Sequence, residues 1–187
     1  VTESFELDLN GFYQVKNLST VLCAEGLLIQ QGFSISNESE KQALQNVKQL
    51  TGLHGRWEVI DTNPVTVLDV AHNEDGIRQV LKQLSLIEQA HSTVHFVLGM
   101  VKDKDVTKAL SLLPASGHYY FSHAHIPRAM PAEELKLKAA GFNIQGDSFD
   151  DVNVAIAAAR KAAKPGDMIL VCGSVFLVAE VDRSAAE

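Results

Sequence analysis

From Arg56 onward, apolar strand-like runs and amphipathic helix-like runs take turns, and this alternation limits the possible folds more than any other feature. RWEVI and VTVLDV read as strands parted by the turn DTNP. GIRQVLKQLSLIEQ reads as a helix, STVHFVLGM as a strand and KDVTKALSLL as a helix. HYYFSHA, AEELKLKAAG, FNIQGD and DVNVAIAAARKAA continue as strand, helix, weak strand and helix, with Gly141 and Pro165 as stops. DMILVCGS is apolar almost throughout, as a strand covered on both faces must be, and VFLVAEVDR forms a last helix. Such alternation builds βαβ units, and hence an α/β fold with a mostly parallel sheet and helices on both faces.

Residues 1–55 follow a different pattern. SFELDL alternates like a half-buried strand, and YQVKNLSTVLCAEGLLIQQG spaces its apolar residues as a helix ending near Gly32. A second helix is predicted over 39–50, capped by Asn37 with Glu40 three residues later. Strand, helix and helix are too little for an independent core. The opening VTESFELDL has no Met and reads as the middle of a fold, which predicts a piece of a longer protein.

Charge and cysteine content exclude several function classes. A formal net charge of -7 argues against a nucleic-acid surface, while leaving room for an anionic ligand in a local basic pocket. No apolar run is long enough to span a membrane and no signal peptide is recognisable, so a cytoplasmic protein is expected. Cys23 and Cys172 sit in apolar surroundings, VLCAE and ILVCGS, and both are predicted to be buried; no CxxC pair is present.

In open α/β sheets, ligands bind beyond the carboxyl ends of the strands, and polar residues gather there in this sequence. Asp69, His72 and Asn73 follow one strand. Asp69 could accept from a ribose hydroxyl, or serve as an N-cap or loop acid. His72 could donate to a phosphate or carboxylate, or be structural. Lys102 and Lys104 lie among Asp103 and Asp105 after another strand; the acids suit a helix N-terminus, whereas a lysine there has no such reason and could face an anion. His123 and His125 share a face if their strand continues, but no third ligand has metal-site spacing, and no metal site is assigned. Arg128 in HIPRAM could hold a carboxylate or a backbone carbonyl. Ser174 in CGS could hold an anion or simply cap the last helix. GxGxxG and GxxxxGK[ST] are both absent, so neither a dinucleotide fingerprint nor a phosphate-binding loop is present.

Taken in order, GFYQVKNLSTVL, HGRWEV, LDVAHN, GMVKDKD, IPRAM and VCGSVFLVAEV resemble the C-terminal part of bifunctional folylpolyglutamate synthase/dihydrofolate synthase, of the Mur ligase superfamily. The resemblance covers nearly the whole chain. It implies a Rossmann-like sheet over residues 56–187, the glutamate ligase domain, preceded over residues 1–55 by a small α+β remnant of the central ATP-binding domain. It implies ATP-dependent addition of L-glutamate to dihydropteroate or folate through an acyl phosphate, with Mg²⁺ held by residues outside this chain. Asn17 matches the residue that reads adenine, Arg56 the one that reaches the terminal phosphate, Asp69 the one that holds the ribose, and His72 the one close to nucleotide and glutamate. Arg56 and His72 are thus the implied catalytic residues. Lys104 and Ser174 match positions near the glutamate, and Arg128 is added as a carboxylate contact. The family's Pro after AHN is Glu74 here. A monomer is expected, and without a phosphate-binding loop the chain alone is expected to be inactive. Two alternatives stand beside this reading: a fragment of a Mur-type peptidoglycan ligase, and a non-catalytic α/β module that binds a nucleotide or amino acid.

Overall fold

The computed structural model describes residues 4–87, 92–103 and 105–184. Its centre is a six-stranded sheet of β1 (Glu58–Thr62), β2 (Val65–Leu68), β3 (Val94–Leu98), β4 (His118–Phe121), β5 (Gly146–Ser148) and β6 (Met168–Cys172). The strand order is β1-β2-β6-β3-β4-β5. Every neighbour is parallel except β1, which returns antiparallel along β2 after a tight turn at Asn63 and Pro64. β6, made of MILVC, is buried at every position and sits between β2 and β3. Consecutive strands β2 and β3 are therefore separated by β6, and in open α/β sheets such a change in the direction of strand order is where ligands bind, at the carboxyl ends.

Side chains alternate across a strand, so each strand feeds two cores. Val67, Phe96, Leu98, Phe121 and Leu170 point to one face and pack with α4 (Glu74–Ile87), α5 (Thr107–Leu110) and α6 (Ala132–Ala140). Leu68, Val97, Tyr120, Ile169 and Val171 point to the other and pack with α7 (Val152–Ala162) and α8 (Val175–Ala179). Helices on both faces of a mostly parallel sheet are the architecture that the alternation predicts.

Several local expectations change. SFELDL forms no strand; the Asp8 carboxylate instead accepts from the Lys48 backbone N–H at 2.8 Å, tying this segment to helices. The helix predicted over 39–50 is two helices, α2 (Asn37–Gln45) and α3 (Val47–Thr51), divided at Asn46. Its cap is Ser36, not Asn37. Ser36 has the extended backbone that a cap needs and exchanges hydrogen bonds with Ser39, where the sequence suggested Glu40. β4 stops at Phe121, so His123 and His125 lie in the loop beyond it, and His125 is bonded to Glu180 at 2.8 Å.

α1 (Gln14–Gln30) leaves apolar side chains uncovered around its circumference: Val15, Val21, Leu27 and Ile29 are exposed, and Gln14 is its one buried residue. Cys23, on this helix, is exposed, contrary to its apolar context, whereas Cys172 in β6 is buried as predicted. α1 is anchored by its first turn. The Phe12 N–H donates to Gln83 at 2.6 Å, and the Lys82 ammonium lies 5.5 Å from the Phe12 ring centre. Among the described residues, no helix is long and apolar enough to cross a membrane.

Candidate functional site

Beyond Leu68 the backbone of β2 runs on for a residue, and the Asp69 N–H still bonds Val171 at 2.9 Å. The Asp69 side chain, only 2% exposed, organises the rim. Its Oδ2 accepts from the Tyr13 hydroxyl at 2.5 Å and from the Trp57 N–H at 3.0 Å, and its Oδ1 accepts from the Ala71 N–H at 2.9 Å. Burial pushes this carboxyl above the usual aspartate range; the bonds from Tyr13, Ala71 and Trp57 and the nearby Arg56 charge offset that only in part. Trp57 has a φ of 52°, a sparsely populated conformation for a bulky residue, and its bond to Asp69 helps to hold it there. The Arg56 charge lies near enough to act on the Asp69 carboxyl.

Next to Asp69 opens a cleft of about 220 Å³. Asn17 from α1, Arg56 from the segment before β1, and Asp69 and His72 from the end of β2 all line it, and Tyr13, Asn73 and Gln79 are also in its wall. His72 Nδ1 is 2.8 Å from the Val70 carbonyl oxygen. A carbonyl only accepts, so Nδ1 carries the hydrogen and Nε2 is left for a ligand. Among the described residues, Arg56 has no hydrogen-bond or ion-pair partner, and its guanidinium is available to an anion. Asn73 caps α4 by accepting from the Gly76 N–H at 2.8 Å, which makes it structural.

Behind this rim, β6 meets β3 so closely that residue 173 must be glycine. Gly173 has a φ of 106°, and a Cβ there would lie 2.4 Å from the Gly99 carbonyl oxygen. Ser174 follows; it is buried, and its hydroxyl accepts from the Phe176 N–H at 3.2 Å as a helix cap.

Of the residues predicted to meet glutamate, Ser174 and Arg128 do not line the cleft. Arg128 is paired with Asp103 and lies over the Phe176 ring at 5.4 Å, so its fork already has a carboxylate. The loops carrying these two residues are stitched together by a bridge between Val101 and Ala129 and by the Lys102 N–H bonded to the Arg128 carbonyl at 2.9 Å. Lys104 lies outside the described residues. A wider hollow of about 400 Å³ opens between Leu81, Leu84, Val94, Phe96 and Pro114, at the amino end of β3. Among the described residues its lining carries no charge, and it faces away from the strand ends where such folds bind ligands.

Tyr13 and Trp57 were not singled out from sequence. For Tyr13 a signal was present: it precedes Asn17 by one helical turn, so both side chains lie on one face.

A family model, the Mur ligase, glutamate ligase domain, matches residues 55–175. The chain belongs to this family. Relatives of this Mur ligase chain include a dihydrofolate synthase/folylpolyglutamate synthase from Escherichia coli, 31% identical over 88% of the chain and 36% of the relative. A probable bifunctional folylpolyglutamate synthase/dihydropteroate synthase from Haloferax volcanii is 29% identical over 96% of the chain and 20% of its own length. Among solved structures, Escherichia coli FolC in complex with DHPP and ADP superposes with a TM-score of 0.75 at 29% identity, over 95% of this chain and 40% of that one. This chain thus spans two fifths or less of the length of each of these three relatives.

Proposed function

We propose that this chain is the C-terminal part of an ATP-dependent ligase that joins L-glutamate to dihydropteroate or folate. Residues 1–55 are the end of a central ATP-binding domain and residues 56–187 the glutamate ligase domain. The observation that carries this reading is the convergence of Asn17, Arg56, Asp69 and His72, from three separate segments, on one cleft at the carboxyl edge of the sheet. The names of the relatives favour the folate branch of the family over the peptidoglycan branch.

In this reading Asn17 meets adenine, and Asp69 meets the ribose. A carboxylate has about four acceptor places, and Tyr13, Trp57 and Ala71 use three on Asp69, leaving one for a ribose hydroxyl. Arg56 faces the terminal phosphate. A carboxylate oxygen of the pteroate attacks the γ-phosphorus, ADP departs, and an acyl phosphate forms. The glutamate amine, having lost a proton, then attacks the acyl carbon, and inorganic phosphate leaves. Charge grows on the transferring phosphoryl oxygens, and a guanidinium fixed beside them stabilises it more than it stabilises bound ATP. His72, with Nε2 free, lies where nucleotide and glutamate approach each other. Ser174 and Lys104 are assigned to the glutamate; Arg128 would join them only by sharing itself with Asp103.

The family resemblance also implies Mg²⁺. Among the described residues, no three His, Cys, Asp or Glu side chains converge on a possible ion site, so no step is routed through a metal held here. The 187 residues contain no GxxxxGK[ST] loop either. The chain is therefore assigned to a complete enzyme, acting as a monomer in the cytoplasm, and is given no ligase activity by itself. In the complete enzyme, ATP-dependent incorporation of glutamate into dihydropteroate or folate is expected, and Asp69→Ala is expected to reduce it. Incorporation into a UDP-muramyl acceptor instead, or ATP binding with no incorporation at all, would contradict the reading.

A further inference from the structure

The acceptor places on Asp69 are unevenly filled. Oδ2 takes two hydrogen bonds, from the Tyr13 hydroxyl and the Trp57 N–H, and Oδ1 takes one, from the Ala71 N–H. A carboxylate oxygen has about two such places, so Oδ2 is full and Oδ1 can take one more. The cis-diol of a ribose brings two hydroxyls side by side, and each needs an acceptor. Tyr13 stands beside Asp69 in the cleft wall. Burial works against the Asp69 carboxylate, but the Tyr13 hydroxyl, two backbone N–H groups and the Arg56 charge support it. Burial also pushes the Tyr13 hydroxyl above its usual range, so it keeps its hydrogen and donates it to Asp69. The Tyr13 oxygen then has no hydrogen left to give the cleft and still has a lone pair with which to accept. The ring is also placed from behind. A Cβ at residue 11 would lie 2.6 Å from Tyr13 Cζ, so the ring takes this position only because residue 11 is glycine.

We propose that Tyr13 is a second ribose-binding residue: Asp69 Oδ1 accepts one hydroxyl of the cis-diol, and the Tyr13 oxygen accepts the other. This rests on the reading of Asp69 as the residue that meets the ribose. The bond between Tyr13 and Asp69 sets two acceptors next to each other, as two neighbouring hydroxyls require. It also turns a hydroxyl that could donate or accept into an acceptor toward the cleft. A deoxyribose lacks one of the two hydroxyls and leaves one acceptor without a donor, which weakens binding. The pair therefore selects ribonucleotides at both hydroxyl positions, whereas Asp69 alone has room for one.

The test is calorimetric titration of the complete ligase with ATP, 2′-deoxy-ATP and 3′-deoxy-ATP, on the unaltered enzyme and on Tyr13→Phe, Gly11→Ala and Asp69→Ala. The unaltered enzyme is expected to bind both deoxy compounds more weakly than ATP. Loss of the hydroxyl held by the charged Asp69 should weaken binding roughly 10- to 100-fold, and loss of the one held by Tyr13 roughly 3- to 10-fold. Tyr13→Phe should erase the smaller penalty and keep the larger. If the unaltered enzyme penalises only one deoxy compound, or Tyr13→Phe keeps both penalties, Asp69 reads the ribose without Tyr13 and the inference is overturned. If Tyr13→Phe erases both, Tyr13 only holds Asp69 in place, and the inference is overturned again. If the unaltered enzyme penalises neither compound, or Asp69→Ala keeps both penalties, the reading of Asp69 fails and that of Tyr13 with it. Should Tyr13→Phe not fold, Gly11→Ala decides, since it keeps every Tyr13 atom but displaces the ring: loss of the smaller penalty alone supports the inference, and any other result overturns it.

Discussion

The Tyr13 hydroxyl donates to Asp69 Oδ2 at 2.5 Å, joining the N-cap of α1 to the carboxyl end of β2. The two residues are 56 apart in sequence. Their bond ties the helix that carries Asn17 to the sheet rim that carries His72, beside the contacts of Phe12 with Gln83 and Lys82.

Tyr13→Phe removes this bond with little change of shape. A hydrogen bond to a charged group contributes about 1.5–3 kcal/mol, and the variant is expected to lose roughly that much stability in denaturant unfolding. An unchanged midpoint would show that the bond does not hold α1 in place.

Glu58 provides a pH-dependent test at the other side of the rim. Its carboxylate accepts from the Gly55 N–H at 2.8 Å and lies 2.8 Å from His54 Nδ1 and 3.2 Å from Arg183 Nε. Burial alone would raise this carboxyl, but Arg183, Gly55 and His54 together hold it below the usual glutamate range. A depressed folded value means that the stabilisation is complete above the unfolded pKa, about 4.3, and is lost as pH falls through the lower folded value. Glu58→Gln should therefore cost about 1–2 kcal/mol near neutral pH. The gap from the unaltered protein should close below about pH 4. A gap that is constant from neutral to acid pH would rule this out.

Arg56 lines the cleft and, among the described residues, has no ion-pair partner; its proposed role is to act on developing charge. In the complete ligase, Arg56→Ala should lower kcat on the order of 10²-fold while weakening ATP binding much less. Steady-state kinetics paired with a binding titration would separate the two effects. An unchanged kcat with a raised KM for ATP would assign Arg56 to ground-state binding only.

The sheet was legible in the sequence because its pattern is redundant. MILVC can be buried on both faces only as a central strand, and the polar groups after VTVLDV and ILVCGS had to project from strand ends. Of the cleft, the strand pattern pointed only to Asp69 and His72 beyond β2; Asn17, on α1, and Arg56, before β1, came from the resemblance to the family. What was not legible depended on long-range contacts. SFELDL has the period of a strand but finds its hydrogen-bond partner in Lys48, on a helix. Ser36 outcompetes Asn37 as a cap through backbone geometry that composition does not reveal. Cys23 sits in an apolar helix that packs against little of this chain. Arg128 looked free for a carboxylate until the fold brought Asp103 to it.

The most direct measurement of the account is a crystal structure of the complete ligase with a non-hydrolysable ATP analogue. The account predicts adenine against Asn17, a ribose hydroxyl within hydrogen-bond reach of Asp69, and the terminal phosphate against the Arg56 guanidinium. A nucleotide bound outside this cleft, or one whose base is turned away from Asn17 with Asp69 still closed off by Tyr13, would contradict it.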